Sequence, residues 1–349
     1  MTAAAVRRLA ALLSRLHRFS RLHILVLVAH LIGLSSSVDA LMSARTAQGA
    51  VAWVIALNAV PYVAVPAYWV FGRSEFQGYV LARRGEDSAL SDLLRDAQLD
   101  ARRGAGDGDG LPSSLQALEA LADGRFLADH DVELLVNGHE AFPSMLEGLE
   151  QARDYVLLQS YIVRDDDLGL QVQRRLIDLA AAGVAVHLLI DEIGSVALPP
   201  SYLSALTEAG VRVRRFDSTR GFTDLFQFNF RNHRKLLIVD GKHAWTGGLN
   251  IADEYLDGTD RLGPWRDTQL RLSGPAVLDL QLMFLEDWHW ATGERLDLEW
   301  EAEPVEGDAE VLIVASGPAD PVDTASLFFH HLSNSATRRY WVSSPYFVP

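Results

Sequence analysis

The sequence predicts an α/β/α sandwich built on a mixed, largely parallel sheet and preceded by an N-terminal two-helix transmembrane hairpin. Three observations carry this prediction. Strand-like and helical runs alternate from Asp131 onward. The 23 residues from Gly49 to Phe71 contain no charged side chain. A composition of 49% hydrophobic against 22% charged residues supplies enough apolar side chain for a sizeable core, which excludes a disordered chain.

Residues 1–21 read as a basic amphipathic segment lying on anionic headgroups, or as a frayed basic tail. The hairpin occupies 22–72, with spans at about 22–42 and 49–71. As a helix the second span is about 34 Å long, enough for a hydrocarbon core of about 30 Å. Pro61 and Pro66 would kink it, and Trp53, Tyr68 and Trp69 lie towards its ends, where interfacial aromatics belong. His23, His30 and Asp39 interrupt the first span, so a signal peptide cleaved near Ala40 is the competing reading. A second apolar segment so soon afterwards favours the hairpin. Five arginines precede the first span, three follow the second and only Arg45 lies in the turn. The positive-inside rule then puts both ends, and the body with them, in the cytoplasm.

The net charge of −15 is unevenly spread: residues 1–84 carry +7 and the remainder −22. Binding of nucleic acid by so acidic a body is not expected, and any phosphate chemistry must use a local positive site. The absence of cysteine excludes disulfide scaffolds, zinc knuckles, iron–sulfur sites and thiol nucleophiles.

Residues 85–125 read as a polar linker region, with RGAGDGDGLPSS at 103–114 as its flexible centre. No strand precedes these glycines and no Lys-Ser/Thr follows, so they do not read as a phosphate loop. A first α/β repeat is expected over 126–300. Its strands are VELLV (132–136), YVLLQSYIV (155–163), VAVHLLID (184–191), VRVRRF (211–216), KLLIVD (235–240) and TQLRL (268–272), with helical stretches at 139–153, 168–182 and 200–209. Tyr155–Val163 also aligns with Tyr340–Val348, each preceded by a helical segment and, further upstream, an apolar strand (132–136 and 310–315). Residues 309–349 therefore read as the start of a second, truncated repeat, which implies a longer two-copy parent.

The sharpest chemical signal is Asn232-His233-Arg-Lys235-Leu-Leu-Ile-Val-Asp240-Gly followed by Gly247-Gly248-Leu-Asn250, or H-x-K-x4-D-x6-G-G-x-N. The chain has two lysines, Lys235 and Lys242, against 29 arginines, so a lysine at this spacing is unlike surface decoration. One residue separates His233 from Lys235, which puts both side chains on the same face of an extended segment. An imidazole there can act as nucleophile or proton carrier while the ammonium neutralises non-bridging phosphate oxygens. Gly247 and Gly248 let backbone approach a phosphate, and Asn250 adds a donor.

These residues resemble the HKD motif of the phospholipase D superfamily. Segments 46–79, SYIVRDDDLG (160–169), LLIDEIGS (188–195), 228–256, PWRDTQLRLSGPAV (264–277) and the terminal SSPYFVP narrow the resemblance to bacterial cardiolipin synthases of the two-span type. The resemblance implies a phospholipase D-like fold, an inner-membrane location, anionic phospholipid membrane as partner, and no metal or other cofactor. It implies transfer of a phosphatidyl group from one phosphatidylglycerol to another, giving cardiolipin and glycerol through a phosphohistidine. His233 matches the motif histidine, as nucleophile or acid–base partner. Lys235 and Asn250 match phosphate-binding positions. Asp240 matches the motif aspartate, structural rather than chemical, and Asp267 an acidic position that orients the histidine. The run Asp165-Asp166-Asp167 reads as a solvated turn rather than a calcium loop. The family uses two HKD motifs at a shared site, and this sequence holds one. The second half must come from a missing C-terminal repeat or a second chain. A hydrolytic phospholipase D, a single-motif phosphodiesterase and an inert half-domain are the alternatives.

Overall fold

The computed structural model describes residues 3–43, 47–72, 112–216, 231–259, 263–301, 305–317, 320 and 322–344, without the side chains of 3–22 and 47. Residues 85–111 of the expected linker, Phe228–Phe230 of the motif segment and Tyr346–Val348 of the repeat lie outside the described residues. The chain divides into two compact units, Met1–Gln77 with Thr219–Asn229, and Gly78–Ser218 with Phe230–Pro349.

In the first unit, α1 (Ala3–Ser43) is one continuous helix of 41 residues, so the basic segment and the first span are not separate elements. Its stretch His23–Ser43 is long and apolar enough to cross a membrane. The second apolar segment is broken, as its prolines require. Helix α2 (Ala47–Ala59) ends at Val60, α3 (Pro61–Ala67) starts on a proline that lacks an N–H, and a π-helical turn follows over Tyr68–Gly72. Gln48–Ala59 is an apolar helix too short to span by itself, and the segment continues past the break through α3 and the π-helical turn. The helices pair closely: a Cβ at Gly33 would lie 2.3 Å from the Leu57 carbonyl oxygen. Polar side chains line the seam, with Asn58 Nδ2 donating to Ser37 Oγ at 2.7 Å, Tyr68 Oη to Asp39 Oδ2 at 2.8 Å and Trp69 Nε1 to Ser36 Oγ at 3.2 Å. Ile24, Leu25, Leu31, Val51, Ile55 and Val63 face outward.

In the second unit, α4 (Ser113–Ala122) corrects the linker reading: SSLQALEALA places Leu115, Leu118 and Leu121 on one helical face, and Leu118 is buried. The strands are β1 (Leu127–Val136), β2 (Tyr155–Ser160), β3 (Ala185–Asp191), β4 (Arg212–Phe216), β5 (Leu236–Val239), β6 (His243–Gly247), β7 (Thr268–Ser273) and β8 (Ala309–Val311). The helices between and after them are α5 (Asn137–Gln151), α6 (Asp167–Ala181), α7 (Pro200–Glu208), α8 (Glu254–Asp257), α9 (Val277–Thr292) and α10 (Thr324–Ser335). One sheet runs β4-β3-β2-β5-β6-β7-β1-β8. It is mixed, as expected, but among the described residues only β2·β3 and β3·β4 are parallel. The other five ladders are antiparallel. Parallel pairing needs a crossover of a dozen residues or more, which α6 and α7 supply; β5 and β6 are separated by Asp240-Gly241-Lys242 alone and must form a hairpin. The sequence reading missed β6. The expected second repeat begins by contributing β8 to this same sheet, beside β1, and 340–344 form no strand.

Helices cover both faces. Leu158, Leu188, Leu237 and Trp245 pack towards α5 and α6 in the main core. On the other face Gln159 and His187 meet Asp287 and Trp288 of α9. Asp166 caps α6, accepting from Gly169 N, while Asp253 accepts from Asp167 N and Leu168 N. The aspartate run is thus a helix start. A Cβ on Gly148 of α5 would lie 2.1 Å from the buried Trp245 ring. Gly148→Ala is therefore expected to destabilise the protein by about 1–3 kcal/mol despite alanine's better helix propensity, read as a lower thermal midpoint followed by tryptophan fluorescence.

Candidate active site

Strand β5 enters the sheet antiparallel to β2, pairing Gln159 with Leu236 and Val156 with Val239. The residues just before it, 231–235, therefore lie at the carboxyl ends of β2 and β3. Alternation along this extended segment sorts its side chains. Asn232 and Arg234 turn towards α9, where Asn232 Nδ2 and Arg234 Nη1 donate to Asp287 Oδ2 at 2.7 and 2.6 Å. His233 and Lys235 point the other way. The Asn232 amide donates to Asp191 Oδ2 at 2.9 Å, and Asp191 Oδ1 accepts from Ile193 N and Gly194 N. His233 is thus flanked by anchored residues on both sides.

Lys235 Nζ lies 3.1 Å from His233 Nδ1 and donates to the His233 carbonyl at 2.6 Å. The Tyr161 ring sits beside both, with its centroid 4.6 Å from that of His233 and 5.2 Å from Lys235 Nζ. Arg231 Nη1 donates to Tyr161 Oη at 3.1 Å, and Ser195 Oγ donates to the Tyr161 carbonyl. Burial lowers the His233 pKa, and the Lys235 charge lowers it further against an opposing pull from Asp191. Burial also brings the Lys235 ammonium down to about 8, opposed by Asp267 and Asp191. At neutral pH the pair is a neutral imidazole beside a mostly charged ammonium that is 6% exposed. That combination can attack or accept a proton at phosphorus while neutralising its oxygens.

The other expected site residues separate into neighbours and supports. The Asp267 carboxylate accepts from Thr268 N and Trp265 Nε1 and raises the Lys235 pKa. Among the described residues it makes no hydrogen bond to the His233 ring, so its charge acts on the lysine. Gly248 leaves room for that carboxylate, since a Cβ there would lie 2.1 Å from Asp267 Oδ1. Gly247 admits Gln269 and the Thr268 carbonyl of β7, both 2.5 Å from its would-be Cβ. Asn250 is 4% exposed; its Oδ1 accepts from Ile162 N and its Nδ2 donates to Tyr255 Oη. Asp240 is not brought to the site. It lies seven residues beyond His233 at the far end of β5, about 20 Å away at roughly 3.3 Å per residue. There its carboxylate accepts from the backbone N–H groups of Arg153, Asp154 and Tyr155 and holds the start of β2. Asp191, Asp287 and the site contacts of Tyr161 were missed by sequence reasoning. The alternation of Asn232 and Arg234 with His233 and Lys235 was the available signal, but nothing in it identifies a partner 53 residues away.

Residues 145–261 match the family profile described as "Cardiolipin synthase, PLD-like domain". The chain is 41% identical over 333 residues to cardiolipin synthase A of Pseudomonas fluorescens (strain Pf-5), covering 93% of this chain and 68% of that protein. It is 42% identical over 324 residues to cardiolipin synthase A of Pseudomonas putida, covering 92% and 67%. Among solved structures, Nuc from Salmonella typhimurium, a phospholipase D family member, aligns at 17% identity and TM-score 0.36 over 46% of this chain and 96% of that one. Phosphatidylserine synthase from Haemophilus influenzae Rd KW20 aligns at 15% and 0.38 over 50% and 41%.

Asp240→Ala strands three backbone donors, and is expected to cost about 1–3 kcal/mol of stability while leaving turnover of the folded fraction unchanged. Thermal unfolding alongside activity per folded chain checks this.

Proposed function

The chain belongs to the cardiolipin synthase family, and on that premise we propose that it is a membrane phosphatidyltransferase that converts two phosphatidylglycerols into cardiolipin and glycerol. His233 and Lys235, held on one side of one segment as a neutral imidazole beside an ammonium, carry the assignment. In the proposed cycle one motif imidazole attacks phosphorus and the bond to the glycerol oxygen breaks. An acid protonates that oxygen and glycerol leaves. The same group, now a base, takes the proton from the hydroxyl of the second phosphatidylglycerol, whose oxygen displaces the histidine. Lys235 neutralises the non-bridging oxygens throughout. His233 supplies one imidazole; the other belongs to a second HKD half, from a C-terminal repeat or a second chain. Asp267 keeps Lys235 protonated, and Asn250 and Gly248 shape the wall beside it. The proposed organisation is a membrane hairpin over 22–72, a catalytic repeat over 126–300 and the start of a second over 309–349. Arginines on both flanks of the hairpin orient the catalytic body towards the cytoplasm at the inner membrane. Both substrates reside in a bilayer, which is the physical reason for an anchor.

Full-length protein in vesicles containing phosphatidylglycerol is expected to release one glycerol per cardiolipin, with a loss of at least about a hundredfold in His233→Ala. Phosphatidic acid in place of cardiolipin would make the protein a hydrolase; no turnover, or full activity in His233→Ala, would sink the assignment. Because Lys235 binds anions only when protonated, KM for phosphatidylglycerol is expected to rise as pH climbs through about 8. Lys235→Arg, charged at every working pH, is expected to lack that limb.

A further inference from the structure

We propose that Asp287 is a positioning residue for the phosphatidyl transfer, acting through Asn232 and Arg234 to hold His233 and Lys235 towards the open end of the sheet; this rests on the transferase assignment above. Asp287 lies on α9, 54 residues from His233, and is 1% exposed. A single oxygen, Oδ2, accepts from Gln159 Nε2 of β2 at 2.8 Å, Asn232 Nδ2 at 2.7 Å and Arg234 Nη1 at 2.6 Å. Arg234 is itself largely buried in this pair, at 18% side-chain exposure.

The geometry assigns a role beyond packing for two reasons. Residues 231–235 belong to no strand ladder, so the backbone pairing that fixes β5 does not fix them. From the α9 side the Asp287 carboxylate holds them through Asn232 and Arg234, and so grips both neighbours of the histidine. In an extended segment, rotating Asn232 and Arg234 off α9 rotates His233 and Lys235 off the opposite side, because adjacent side chains project in opposite directions. A buried charge with a buried cationic partner also resists truncation strongly, since removing one leaves the other unpaired.

The test uses full-length protein in phosphatidylglycerol vesicles, with Asp287→Asn as the near-isosteric variant, Arg234→Gln, and the double variant. Each is measured for kcat and KM per folded chain and for thermal midpoint. A readout independent of turnover is the pH dependence of His233 ethoxycarbonylation by diethyl pyrocarbonate, followed on the His233 peptide by mass spectrometry. Asp287→Asn is expected to lower kcat at least tenfold and to raise KM severalfold, because Lys235 is displaced together with His233. It should also raise the apparent pKa of His233 modification towards the ordinary histidine range, as the ring loses its buried setting. Arg234→Gln should do the same, and the double variant should be no worse than either single one. If the two variants lower only the thermal midpoint, with kcat per folded chain and the His233 titration unchanged, Asp287 is merely structural and the inference is overturned. Failure of the unmodified protein to make cardiolipin overturns the transferase assignment instead, and the His233 titration then still decides whether Asp287 sets that residue's environment.

Discussion

The second unit depends on a single short strand tied at both ends. β5 is four fully buried residues, Leu236–Val239, laid antiparallel between β2 and β6. At its entrance, Asp287 and Asp191 grip Asn232 and Arg234; at its exit, Asp240 takes three backbone N–H groups from 153–155. The apolar middle supplies burial and the carboxylates at either end supply register. A slip of one residue would exchange the side chains facing α9 with those facing the site. The motif's aspartate and its histidine therefore stand at opposite ends of one element, the aspartate securing the start of β2 and the histidine beside Lys235.

Burial explains the electrostatics of the site. The same desolvation lowers the pKa of both His233 and Lys235, favouring a neutral imidazole and a tunable cation side by side. In a chain that otherwise uses arginine almost throughout, a lysine is the residue whose charge can be adjusted this way, because a guanidinium stays protonated under any burial. Asp267 and Asp191 counter the loss, so the ammonium stays mostly charged near neutrality. An acidic body thus keeps a local positive site against its overall field.

The first unit follows a different rule. Close approach at small residues and a few hydrogen bonds between side chains do the joining there. Gly33 against Leu57, and the pairs Ser37–Asn58, Asp39–Tyr68 and Ser36–Trp69, are that kind of seam. Asp39, which weakened the apolar pattern of the first helix in the sequence, is the residue that holds its partner. The outward surface is left to Ile, Leu and Val.

The sequence by itself determined the alternation of strands and helices, the start of β2 and the limits of β3 to β5 to within a residue, and the His233–Lys235 pairing on one side of the chain. These are local consequences of side-chain periodicity and of turn chemistry such as Asp240-Gly241, whose positive φ angles suit a tight hairpin. Tertiary structure decided the rest. The predominance of antiparallel ladders follows from which strands β5 and β7 chose as neighbours, and periodicity is blind to that choice. The conversion of 113–122 from linker to helix depended on a partner for Leu118, and the break at Val60 on how Pro61 restarts the chain. The move of Asp267 from histidine to lysine, and the whole of the Asp287 anchor, rest on contacts between residues far apart in sequence. A carboxylate on a helix reads as a solvent-facing group until the fold buries it against three donors, because burial and hydrogen-bond partners are properties of packing and not of the residue.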